Sequence, residues 1–147
     1  MMLKSTLHFN REILIGELGA LIVASASSPV VGRLTHDSVV ISGAAVAATM
    51  VGGSLFWLVA RIYDQVSGKT FTAKSLASDV AYFTPGALVL GLIIYDPLIF
   101  LVSRRMLENG LSAVVAVAVG QVAAFAVFLG CLNLYRLVLI KFRGKAL

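Results

Sequence analysis

Four long runs with almost no charge constrain this chain more than any other feature. A membrane-spanning helix needs roughly 20 mostly apolar residues. Ile13 to Gly32 supplies one, with Glu17 as its sole charge. Ser38 to Ala60 supplies a second with no charge at all. Val80 to Ser103 supplies a third, in which Asp96 alone is charged, and Leu111 to Tyr135 a fourth, uncharged. The gaps between them are short, so neighbouring helices should run antiparallel. The expectation is an all-α membrane protein, with four transmembrane helices arranged as two antiparallel hairpins in one domain over residues 1–147.

Composition and charge placement support this. Hydrophobic residues make up 59% of the chain and charged residues 13%, against about 45–50% apolar and about 25% charged in soluble domains. The net charge of +5 does not read as a nucleic-acid footprint, because the basic residues sit at segment ends and form no long run. Nine of them (Lys4, Arg11, Arg61, Lys69, Lys74, Arg136, Lys141, Arg143 and Lys145) fall on the side of the two termini. Three (Arg33, Arg104 and Arg105) fall on the other, with Glu108 beside the last two. By the positive-inside rule both termini are expected in the cytoplasm, in an integral protein of the inner (plasma) membrane. The lone cysteine, Cys131, gives neither a disulfide framework nor a metal set. Arg11 to Ala26 has the outline of a signal peptide, but Glu17 falls within its apolar stretch, which argues against cleavage.

Small residues recur at steps of four: Gly16, Ala20, Ala24 and Ser28; Ala44, Ala48 and Gly52; Ser112, Ala116, Gly120 and Ala124. Such stripes let helix backbones approach closely in lipid. They fit contacts within one chain or, because four helices make a thin wall, contacts in a homodimer. The two halves also align. Phe56 through Tyr63 matches Phe128 through Tyr135, which sets Arg61 opposite Asn133 and Asp64 opposite Arg136. Each half would then be one hairpin of a parallel internal repeat.

Glu17 and Asp79 are the first candidates for a proton or substrate pathway. A carboxylate inside a bilayer is costly and faces a polar cavity or a partner. For Asp79 a helix start reads equally well, with Ser75 or Ser78 as cap and the acid in the first turn. Arg61 could pair with either acid or grip a substrate carboxylate; alone, it also fits a snorkelling anchor. Tyr63 and Asp64 follow it, and Asn133 and Tyr135 are their counterparts on the last helix. Tyr82 could add a hydroxyl. Pro85 and Gly86 are expected to interrupt helix three and act as a hinge, Pro85 by freeing a carbonyl and Gly86 by its flexibility. Asp96-Pro97 reads as an outer-interface element, and His36-Asp37 as a solvated loop. No phosphate loop, HExxH, CxxC or Gly-x-Ser-x-Gly motif is present, so an enzyme, a cofactor or a metal is not expected.

The run Ser78-Asp79-Val80-Ala81-Tyr82-Phe83-Thr84, with Pro85 just after, resembles the bacterial L-alanine exporter family. That family has an Ala-Asp-x-x-Ala-Tyr-x-Thr run with a proline shortly downstream. Glu17 stands where the family places an acid on helix one, and Arg61, Ile62, Tyr63 and Asp64 resemble its Tyr and Arg-Asp ending of helix two in a changed order. The resemblance spans residues 11–142. It implies export of an amino acid, L-alanine first, driven by proton motive force. The partners it implies are a small-molecule substrate and membrane lipid. The proteobacterial antimicrobial compound efflux family shares the four-helix length and an early acid, but its histidine, Phe-Glu and Trp-Asn motifs are missing here. A small efflux pump for toxic cations and a structural or regulatory subunit without transport are the alternative readings.

Overall fold

The computed structural model describes residues 2–143, apart from the side chains of residues 2–6, 8, 79, 82, 83, 142 and 143. Helix α1 spans Met2–Leu34, α2 Ser38–Ser67, α3 Ala73–Leu90, α4 Asp96–Glu108 and α5 Ala113–Arg143. A π-helical turn, Gly91–Tyr95, joins α3 to α4 in one rod. The chain is an all-α membrane protein with four spans long and apolar enough to cross a bilayer among the described residues: Phe9–Leu34, Ser38–Ser67, Thr84–Glu108 and Ala113–Lys141.

The helices outrun the apolar segments because nothing at the segment ends breaks them. On the side of the termini, α1 and α2 continue past the bilayer-length stretch as a hairpin stem. Ion pairs tie this stem together: Arg11 with Asp64, and Arg61 with Glu12. Each connection is closed by local chemistry. The Asp37 side chain caps α2 by accepting from the Val39 N–H at 2.8 Å. Thr72, not Ser75 or Ser78, caps α3, with its hydroxyl accepting from the Ser75 N–H at 3.0 Å. Asp79 is therefore well inside α3, beyond its first turn. Gly110, at φ +84°, ends α4: its N–H reaches the Leu107 carbonyl, and the Leu111 N–H reaches back to Met106.

The small-residue stripes face inward. Ala20, Ala24 and Ser28 of α1, and Ala116 and Ala124 of α5, are buried within the single chain. On α2 Gly52 of the expected stripe is buried and Ala44 and Ala48 are half-buried, while Ile41, Ser42, Ala45 and Thr49 complete the inner face. Ser112 precedes α5 and is exposed. The stripes are thus used up in packing α1 on α2 and α5 on α1 and α4. The large side chains Leu18, Ile22, Leu55, Val59, Ile93 and Val122 point outward instead, as a lipid-facing surface requires.

The hairpins share connectivity but not packing. The α1–α2 contact is close along its length, whereas α3 packs on α5 and not closely on α1 or α2. Helix three also bends where the sequence did not indicate. It runs through Pro85 without a break. Its irregular turn comes just before Pro97, where the Asp96 N–H bonds to the Gly91 carbonyl five residues back. Proline has no N–H and its ring crowds the carbonyl four residues earlier, and one widened turn accommodates both. Gly86 lies within the same continuous helix. A Cβ there would run into the Tyr135 ring, so its bareness admits α5.

Candidate functional site

Between the two hairpins lies a cavity of about 360 Å³. Ile13, Gly16, Glu17 and Ala20 of α1 form one wall, and Thr49, Gly53, Ser54 and Trp57 of α2 the next. Thr84, Gly91, Tyr95 and Asp96 of the third span, with Phe125, Phe128 and Leu132 of α5, close it. The space lies where α3 does not pack closely on α2, and Tyr95 and Asp96, at the turn before Pro97, are buried on its wall.

Two polar contacts cross the bundle beside this cavity. The Tyr95 hydroxyl donates to Glu17 Oε2 at 2.5 Å, joining α1 to the third span. Gln121 Nε2 donates to Thr49 Oγ1 at 2.9 Å, joining α5 to α2. Gln121 is also next to the Tyr95 hydroxyl, so all four spans contribute to one polar belt. The Tyr95 ring stacks on Phe128 with centroids 4.9 Å apart. Asp96 adjoins Tyr95 and is buried on the cavity wall. Among the described residues no Lys, Arg or His lines the cavity.

Of the residues singled out in the sequence, Glu17 lines the cavity. Asp79 and Tyr82 have side chains outside the described residues, although Thr84 of the same run reaches the wall. Arg61 meets neither Glu17 nor a substrate space. Its Nη1 donates to both Glu12 oxygens, at 2.9 and 3.2 Å, in the stem. Asp64 is paired with Arg11 beside it. Tyr63 is 67% exposed and turns away from the interior. Asn133 donates to the Leu129 carbonyl of its own helix at 2.9 Å, and Tyr135 packs over Gly86. Pro85 is exposed on a continuous helix. Asp96 opens α4 directly after Tyr95 and lies on the cavity wall. Glu12, Tyr95, Thr49 and Gln121 were not singled out. Among the described residues no cluster of three or more His, Cys, Asp and Glu is placed to hold a metal ion.

On the side away from the termini the helices pack closely beyond the cavity. Ala24, Ala45 and Val117 pack against one another, and Ser42, Ser103 and Gln121 are fully buried in the same region. The Ser42 and Ser103 hydroxyls and Gln121 Oε1 have no hydrogen-bond partner. Beyond this plug a second cleft of about 390 Å³ opens between the outer connections, lined by His36, Ser38, Ile41, Glu108 and Leu111. Comparison of the chain with known protein families, curated proteins and solved structures gives no match.

Proposed function

We propose that this chain is a small-molecule exporter that works by alternating access between its two hairpins. The observation that carries this reading is the cavity between them, held shut on one flank by the Glu17–Tyr95 hydrogen bond. A carboxylate in that position is expected to serve the passage of a proton or a substrate, since an intramembrane acid without such a role is costly. The π turn beneath Tyr95 gives the third span a place to flex, as such turns often do at functional sites. The close packing beyond the cavity supports the same cycle. Ser42, Ser103 and Gln121 carry buried polar atoms without partners along the line from cavity to outer cleft. Those atoms would be hydrated in an outward-open state, which offsets their cost here.

The substrate has an amine in this reading, because the cavity offers carboxylates and no basic side chain. L-alanine is the first molecule to try, on the resemblance carried by Ser78 to Thr84. Its methyl group suits the apolar wall, and the Thr49, Ser54 and Thr84 hydroxyls would meet its carboxylate. Proton motive force is the proposed driver.

The test is alanine efflux from cells loaded with an alanine dipeptide, comparing the intact chain with Glu17→Gln at matched membrane levels. The intact chain should lower internal alanine, a protonophore should abolish the effect, and Glu17→Gln should remove most of it. A chain that moves nothing, or a Glu17→Gln variant that exports as well as the intact chain, contradicts the proposal. A variant that changes abundance but not flux points to a structural subunit.

A further inference from the structure

Asp96 is the cavity carboxylate to which the exporter reading assigns no role of its own. It is only 9% exposed, it faces the cavity, and among the described residues no side chain donates to it or pairs with it. Glu17, by contrast, has Tyr95. A helix start does not account for Asp96, because α4 has no free first turn here: the Asp96 N–H is bonded back to Gly91. A buried charge in a membrane helix needs a counter-charge, and among the described residues the cavity wall supplies none. Apart from Glu17, which Tyr95 holds, and the Thr49, Ser54 and Thr84 hydroxyls, most of the wall is aromatic and aliphatic, with Trp57, Phe125 and Phe128 around the space. Aromatic faces attract cations, most strongly when desolvated. A volume of about 360 Å³ falls in the range of small-molecule sites, about 300–1,000 Å³.

We propose that the cavity binds an organic cation with an apolar body, a tertiary or quaternary ammonium, with Asp96 as its counter-charge and the Trp57, Phe125 and Phe128 rings around it. A zwitterion satisfies this site less well, since its carboxylate finds no cationic partner. As a binding site this stands on the cavity alone; as cargo the cation rests on the exporter reading.

Trp57 is the only tryptophan in the chain, so its fluorescence reports on the cavity directly. The experiment titrates the full chain, in lipid nanodiscs, with benzyltrimethylammonium, and repeats the titration with neopentylbenzene, its uncharged isostere. The cation should change Trp57 emission saturably, and the isostere should not displace it. Asp96→Asn should weaken cation binding about tenfold or more, as expected for losing a charged partner. Asp96→Glu, which keeps the charge, should stay within a few-fold of the intact chain and so separates a lost counter-charge from a misfolded protein. Asparagine binding the cation as tightly as aspartate, or the isostere competing equally, overturns the proposal. Flux in proteoliposomes separates the two claims. A cation that binds through Asp96 but never crosses keeps the site and removes the exporter. Alanine flux without cation binding keeps the exporter and removes this substrate class.

Discussion

Glu17 and Tyr95 meet across two hairpins, and each tests the other. Tyr95→Phe keeps the stack on Phe128 but removes the hydroxyl that holds Glu17. The fold should survive, while flux falls about tenfold, the scale of one hydrogen bond to a charged group; transport rates at equal protein content check this. Arg61 tests the stem. Glu12 is almost wholly buried beneath it, with its side chain 4% exposed. Arg61→Ala strands that charge and should cost about 3 kcal/mol, whereas neutralising both partners together should cost much less. Thermal unfolding of the two variants in detergent gives the comparison. Glu17 was legible in the sequence because a charge inside an apolar run has few innocent explanations. Glu12 was not, since it follows Arg11 and looks like part of the interface. Tyr95 was hidden for the opposite reason: a tyrosine near the end of an apolar run reads as an anchor.

At the scale of elements, close approach of α1 and α2 depends on glycine. A Cβ on Gly52 would come within 2.5 Å of the Gly19 carbonyl oxygen, and this is backbone, which cannot turn aside. Gly52→Ala should therefore part the two helices and cost about 1–3 kcal/mol, read as a lowered unfolding temperature. The same change at Gly43, where nothing lies within 4 Å, should be neutral. Step-of-four stripes on α1 and α5 announced this packing because small residues have few other uses at that period. On α2 only Gly52 of the expected stripe is fully buried, since Ser42 and Thr49 of the inner face carry hydroxyls and do not stand out in a pattern of glycine and alanine. The bend of helix three was the larger miss. Pro85 and Pro97 look alike in sequence, and only the packing distinguishes a proline carried within a regular helix from one preceded by a widened turn.

At the scale of the molecule, the four spans and two hairpins could be read from length and hydropathy, because the bilayer fixes how long an apolar run must be. The difference between the hairpins could not. It arises where α3 leaves α2 and the cavity forms, and no local signal encodes a gap. The aligned halves illustrate this: Arg61 holds Glu12, while Asn133, its counterpart, bonds only to its own helix. In the proposed exporter, the polar belt through Glu17, Tyr95, Gln121 and Thr49 would border a passage that opens to one side at a time. The most direct measurement is labelling of Ser54→Cys, on the cavity wall, in a Cys131→Ala background. A water-soluble maleimide is applied to right-side-out and to inverted membrane vesicles, with and without substrate. The account predicts labelling from both sides, with substrate shifting the balance between them. Labelling from one side alone, unchanged by substrate, or from neither, would contradict it.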